Sequence, residues 1–327
     1  MDTNMNMNAD MNAELFPSTL PVVCTVSRLD GGPAWLAKLP AIVDDLRERW
    51  NLTLGKPFHG GSCSWVAPVR LSDGGESVLK VNWPNRESAG EAEALRLWDG
   101  RGAVRLLRED HEQYALLIER CDPGDLLADA DHIPAHDRLL VGARLLNELW
   151  SAPVPTPGET ALEDLADVTA EWADLLDERM ERHKADLADR LDPGLAAQAA
   201  HLLRDLPRTA RRRVVVHGDF NPGNILAARR RPWLAIDAKP MIGDPAYDLS
   251  RLLLQIDDPF NHADPRAVLA ERYTLIADVI GEDTARLTAW ALAREVESAL
   301  SAVDTGDTRA ADTTLATIPV LADVAKL

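Results

Sequence analysis

Apolar positions along the chain change period twice, and the changes mark out its organisation. Residues 33–50 carry Trp35, Leu36, Leu39, Val43 and Leu46 at helical spacing, with Pro33 in the first turn, where a missing N–H costs nothing. Pro40 is expected to interrupt this helix. The texture then becomes short β-branched and aromatic runs: residues 52–54, 64–71 and 77–81 read as three strands. Ser72, Asp73, Gly74 and Gly75, between the last two, supply hairpin chemistry. A helix is predicted from Glu87 to Trp98, ended by Gly100, followed by strands over 103–107 and 114–119.

Beyond residues 121–124 the period becomes helical. Amphipathic stretches run over 135–150, 163–191 and 195–206, broken by the prolines at 153, 155 and 157 and by Asp192, Pro193 and Gly194. Val214, Val215 and Val216 form a buried strand, Trp233 to Ile236 another, and nearly everything from Pro245 onward is helix. No period of 20–50 residues repeats, which excludes a solenoid. The expected fold is α+β with two lobes: an N-terminal arm over 1–32, partly mobile, a strand-rich N-lobe over 33–120 and a helical C-lobe over 121–327.

Composition narrows the functional classes. The 327 residues are 46% hydrophobic, enough for a sizeable core, and carry a formal net charge of −18. Such acidity argues against a nucleic-acid or anionic-membrane partner, since phosphate surfaces attract basic patches. It suits a cationic small molecule, or serves only to keep the protein soluble. The three cysteines, Cys24, Cys63 and Cys121, are odd in number and no pair has metal-ligand spacing, so neither a disulfide framework nor a zinc site is suggested and a reducing cytoplasm fits best. No apolar run reaches the length of a spanning helix. The first basic residue is Arg28, so a signal peptide is not expected, and Met1 to Asn12 read as a mobile arm.

The chemistry concentrates in His217-Gly-Asp-Phe-Asn-Pro-Gly-Asn224 and in Asp237. A strand ends at His217; a loop carries Asp219, Asn221 and Asn224; a second strand ends at Asp237. Hard cations such as Mg²⁺ take a few protein oxygens together with substrate phosphates, and Asn224 and Asp237 suit that role. Asp219 is then left to accept the proton of a hydroxyl nucleophile. The five-residue step from Asp219 to Asn224 matches the base-to-Asn spacing of the protein-kinase catalytic loop. The competing reading is a polar turn whose Asp and Asn bond their own backbone.

In the N-terminal half, Gly60 to Ser64 lies between strands, where backbone N–H groups can approach phosphate. Lys80 lies in an apolar strand, and burying its ammonium without a partner is costly. The next helix carries Glu91 and Glu93, and a Lys–Glu pair would orient the lysine toward nucleotide phosphates; the alternative is an edge-strand lysine reaching water. The extended segment ending in Glu119 and Cys121 could offer a carbonyl and an N–H to an adenine edge.

Together HGDFNPGNIL and IDAKPMIGDPAYDLSRLL resemble the catalytic and metal-holding segments of the aminoglycoside phosphotransferase superfamily. With GGSCSWVAPV, ALRLWDGRGAVRLL, IERCDPG and PWLAIDAKP they resemble its streptomycin 6-kinase and hydroxyurea phosphotransferase branch, over roughly residues 35–300. That resemblance implies a protein-kinase-like fold, ATP and Mg²⁺ as cofactors, and transfer of phosphate to a small-molecule hydroxyl. It implies Asp219 as catalytic base, Asn224 and Asp237 as metal ligands, Lys80 paired with Glu91 on the ATP phosphates, Ser62 beneath them, and Glu119 and Cys121 at adenine. Asp248 would brace the catalytic loop, or else simply cap the following helix. Asp237 and Asp248 are 11 residues apart, which leaves no room for an activation loop and points away from a regulated protein kinase. Lys239 has two readings, contact with transferred phosphate or plain exposure. Asp257, Asp258, Glu295 and Glu297, with Trp290 as a flat wall, are the candidate acceptor groups for a guanidinium-bearing substrate such as streptomycin. The alternatives are hydroxyurea as acceptor, a metabolic kinase for choline, homoserine or a sugar, and a nucleotide-binding pseudokinase.

Overall fold

The computed structural model describes residues 14–156 and 158–327. The chain divides into two units, residues 1–100 with 104–122 and residues 101–103 with 123–327.

The first unit begins with α1 (Pro21–Val26) and α2 (Gly32–Arg49). Leu15, Leu20, Val22 and Val26 are buried in the same core as Trp35, Leu39, Val43, Trp65 and Leu79, and the Trp65 indole N–H donates to the Leu15 carbonyl at 2.9 Å. This corrects the expected arm for residues 14–32: its apolar positions are core, anchored by the burial of large side chains. Met1 to Asn12 lie outside the described residues. Helix α2 also runs through Pro40, because its apolar stripe is held on the core and one lost backbone bond is tolerated.

Strands β1 (Thr53–Leu54), β2 (Ser64–Arg70) and β3 (Glu76–Asn82) follow, then α3 (Glu91–Trp98), β4 (Leu106–Asp110) and β5 (Ala115–Glu119). The strands form one antiparallel sheet in the order β1-β2-β3-β5-β4. Helix α3 starts four residues later than expected. Asn85 and Ser88 exchange side-chain bonds with each other's backbone, and Ser88 Oγ also donates to the Trp83 carbonyl, so these polar side chains hold a turn against the helix.

The second unit opens with β6 (Pro123–Leu126) and α4 (Ala135–Leu149), then β7 (Glu163–Asp164), α5 (Leu165–Arg182), α6 (Lys184–Leu187) and α7 (Pro193–Asp205). The single helix expected over 163–191 is broken at His183, whose ring bonds Asp304 at 2.9 Å. Short strands β8 (Val214–Val216), β9 (Ile225–Ala228), β10 (Trp233–Ala235) and β11 (Met241–Gly243) come next. They form two three-stranded sheets, β10-β9-β6 and β7-β11-β8. Helices α8 (Leu249–Gln255), α9 (Pro265–Ile280), α10 (Thr284–Thr305) and α11 (Thr308–Ala325) complete the unit. Among the described residues no helix is long and apolar enough to cross a membrane.

Candidate active site

The loop after β8 is held from three directions. Its sharpest point is Gly218, at φ +83, where an added Cβ would sit 1.8 Å from the Lys239 carbonyl oxygen; only glycine fits. Asp248, 3% exposed, accepts the Gly218 N–H on Oδ1 at 2.8 Å and the His217 N–H on Oδ2 at 2.9 Å. The Trp150 indole donates to the same Oδ2 at 3.0 Å. Burial pushes the Asp248 carboxyl up to about 6, and the two backbone N–H groups and the indole pull against that rise. Asp248 makes no capping bond to α8, so its side chain serves the loop and not the helix.

The buried His217 ring donates from Nε2 to the Ile236 carbonyl at 3.0 Å, and the Lys239 N–H donates to the His217 carbonyl at 2.8 Å. The Ile236 N–H donates to the Asn224 carbonyl at 2.9 Å, and the Asn224 amide donates to the Asp219 carbonyl at 3.0 Å. Asp219 and Asn224 are thereby tied through a circuit of hydrogen bonds to Ile236 and Lys239, the residues on either side of the segment that carries Asp237. Asp237 takes a left-handed φ of +58, which turns the chain at the end of β10 and which Asp tolerates better than most side chains. The Asp219 carboxylate has Lys239 Nζ at 3.4 Å from Oδ2 and Arg251 Nε at 3.6 Å from Oδ1.

This donor set fits a hard divalent cation. The Asn224 amide nitrogen donates to the Asp219 carbonyl, so its oxygen would be the end that could ligate, and Asp237, just beyond the neighbouring strand, would add a carboxylate. Among the described residues no cluster of three or more His, Cys, Asp or Glu side chains could hold a metal by itself. Two protein oxygens, completed by substrate phosphates, match Mg²⁺ usage.

In the first unit Lys80 and Glu91 are 5% and 2% exposed, with Nζ at 2.6 and 2.7 Å from the two carboxylate oxygens. Lys80 is thus paired with Glu91. Asn82 also donates to Glu91 at 3.2 Å. Ser62 lies exposed in the loop before β2, its hydroxyl 3.9 Å from the Cys63 sulfur. Glu119 ends β5, with its N–H bonded to the Arg105 carbonyl at 2.9 Å, and Cys121 follows it, half-buried.

The acceptor candidates separate clearly. Trp290 is fully buried and donates to Asp244 at 2.6 Å, so it belongs to the core and is no open wall. Asp257 is engaged by Arg272 and His262, Asp258 accepts from Phe260 and Asn261, and Glu297 pairs with Arg179 at 3.3 Å. Glu295 is half-buried on α10; burial raises its pKa, while Arg251 and Arg294 oppose the rise. Trp150 and Arg251 carried no functional signal in the sequence. Trp150 follows the end of α4 and Arg251 lies within α8, and their contacts with Asp248 and Asp219 arise from long-range folding.

The fold is that of protein-kinase-like small-molecule phosphotransferases. A GDP-bound aminoglycoside 2′-phosphotransferase-IIIa covers 88% of this chain and 98% of its own with a TM-score of 0.59 at 17% identity. A choline kinase from Cryptosporidium parvum Iowa II covers 87% and 95% with a TM-score of 0.57 at 11% identity. Within that class the chain belongs to the aminoglycoside/hydroxyurea antibiotic resistance kinase family, whose model matches residues 49–306. It is 36% identical to a streptomycin 6-kinase of Streptomyces glaucescens over 88% of this chain and 91% of the relative. It is also 36% identical to a hydroxyurea phosphotransferase of Kitasatospora aureofaciens, over 89% and 81%.

Proposed function

We propose that the protein transfers the γ-phosphoryl group of ATP to a hydroxyl of streptomycin and so confers resistance to it. The observation that carries this reading is the hydrogen-bonded circuit that ties the segment around Asp237 to Asp219 and Asn224 in a chain 36% identical to a streptomycin 6-kinase. A nucleotide also fits the structural relatives, one solved with GDP and another with AMP-PNP and hygromycin B.

Phosphoryl transfer demands alignment and charge neutralisation more than covalent help from the protein. Asp219, fixed by the braced loop, accepts the hydrogen bond of the acceptor hydroxyl and aims its oxygen at phosphorus. Lys80, held straight by Glu91, supplies positive charge to the nucleotide phosphates. Asn224 and Asp237 would hold Mg²⁺, which when bound offsets phosphate charge. Ser62 and the backbone at Glu119 and Cys121 are assigned to phosphate and adenine. The half-buried Glu295 is the acceptor-side carboxylate best suited to a guanidinium, because Asp257, Asp258 and Glu297 are already engaged by the protein itself.

The second reading is hydroxyurea as acceptor, favoured by the equal identity to the hydroxyurea phosphotransferase. ATP consumption and mass spectrometry across streptomycin, other aminoglycosides, hydroxyurea and choline test the proposal. A phosphate gained by streptomycin supports it; transfer to hydroxyurea or choline alone replaces the acceptor; nucleotide binding with no transfer to any of them removes the enzymatic reading.

A further inference from the structure

Lys239 is placed with more care than an ordinary surface lysine. Its N–H donates to the His217 carbonyl at 2.8 Å, and its own carbonyl packs so closely on Gly218 that no Cβ fits between them. Two residues earlier, Asp237 turns the chain in a left-handed conformation. The backbone on which Lys239 is mounted is thus stitched to the backbone on which Asp219 is mounted. The result places Nζ 3.4 Å from Asp219 Oδ2.

The Lys239–Asp219 ion pair adds little to folding stability. The Lys239 side chain is 41% exposed and that of Asp219 17%, and an ion pair so accessible to water contributes under about 1 kcal/mol. Composition sharpens the point. The chain uses lysine at only six positions against 29 arginines, so a lysine here is not the default cation of this sequence. An ammonium is compact and can turn three donors toward different oxygens, whereas a guanidinium presents a planar fork.

The chemistry supplies a role. Resting on the reading of Asp219 given above, an acceptor hydroxyl bound to Asp219 lies in line with the γ-phosphorus. A carboxylate and a phosphoryl group, both anionic, must then sit within a few ångströms of each other. A positive charge between them removes that repulsion and stabilises the charge spread over the phosphoryl oxygens in the transition state.

We propose that Lys239 is a catalytic residue whose ammonium contacts the transferring phosphoryl group while it flanks Asp219. In the step, the acceptor oxygen forms a bond to phosphorus as the bond from phosphorus to the β,γ-bridging oxygen breaks. The bond's electron pair leaves with ADP, and the hydroxyl proton passes to Asp219. Lys239 exchanges no proton; it donates hydrogen bonds to a phosphoryl oxygen throughout. Arg251, 3.6 Å from the other carboxylate oxygen, is left as the group that helps orient Asp219.

The test uses the full chain as wild type, Lys239→Ala, Lys239→Gln and Lys239→Arg. Two quantities are measured: affinity for ADP with Mg²⁺, and the gain in affinity when fluoroaluminate, a planar mimic of the phosphoryl group in transit, is added. Turnover with ATP and streptomycin is followed in parallel. The expected result is unchanged ADP affinity, loss of the fluoroaluminate gain in the Ala and Gln variants with partial recovery in Arg, and a fall in kcat of about 10²–10³-fold without a matching rise in either KM. The Gln variant preserves most of the stem, so it tests the charge even where truncation unfolds the loop. Retention of the full fluoroaluminate gain in both Ala and Gln variants overturns the proposal, whatever happens to turnover, because a lysine that only positions Asp219 leaves that gain intact. Wild-type protein that gains affinity with fluoroaluminate yet leaves streptomycin unphosphorylated sinks the acceptor assignment alone.

Discussion

Asp248 is the side chain on which the catalytic loop depends most. Its two oxygens accept three N–H groups from His217, Gly218 and Trp150, all within 3.0 Å. Replacing it with Ala leaves those buried donors unmatched, and the expected loss is about 3 kcal/mol or more of stability in denaturant unfolding. Its titration gives a signed prediction as well. Folding raises the carboxyl from 3.8 to about 6 because burial disfavours the charge. The folded chain therefore binds this proton more tightly than the unfolded chain. Its contribution to stability is full below pH 3.8 and is lost as pH rises through about 6. Relative to Asp248→Asn, which cannot titrate, the wild type should lose about 3 kcal/mol between those two pH values and nothing above them. Chemical unfolding of both proteins across that range reads the difference directly, and parallel curves would refute it. Asp219, Asn224 and Asp237 were legible as candidates because their residue types and spacing are chemically restrictive. The position of Lys239 was not, because only the stitching of residues 236–239 onto residues 217–218 brings its ammonium to Asp219.

The strand β3 and the helix α3 act together through one buried pair. Lys80 and Glu91 are each charged, almost wholly enclosed, and within 2.7 Å of each other. Glu91→Ala leaves an ammonium buried without its counter-charge and is expected to cost about 3–5 kcal/mol. The double replacement Lys80→Met with Glu91→Leu should recover most of that stability and still lose nucleotide affinity, which thermal melts and ADP titration separate. A double variant as unstable as Glu91→Ala would show that the loss comes from packing and not from the charge. The long helices and most strands of the first sheet were readable from periodicity, but β4 begins at Leu106, three residues later than the strand expected over 103–107. Strands β6 and β9 were not: Pro123 and Gly124 read as a hinge, and Ala227 and Ala228 precede a run of three arginines, so neither segment shows β-like composition. Their pairing with each other supplies the order that local preference lacks. The break at His183 was equally hidden; its ring meets Asp304, 121 residues away, a contact no local pattern announces.

At the scale of the whole molecule, the net charge of −18 bears on the choice of acceptor. A strongly acidic protein draws a polycation toward it over a distance set by ionic strength, while a neutral molecule feels no such pull. The kcat/KM for streptomycin should therefore fall as salt rises, whereas that for hydroxyurea should stay flat. Glu295→Gln should raise the KM for streptomycin by roughly tenfold while leaving the KM for ATP unchanged, as the loss of one charge-assisted pair implies. Equal salt responses for the two acceptors, or an unaltered KM in the Glu295 variant, would count against a guanidinium-binding acceptor site.

The most direct measurement compares ATP-dependent phosphorylation of streptomycin by the wild type and by Asp219→Ala, with ADP binding followed on the same preparations. The account predicts a turnover loss of about 10²–10⁴-fold in the variant with nucleotide binding preserved. Near-normal turnover by Asp219→Ala would contradict it.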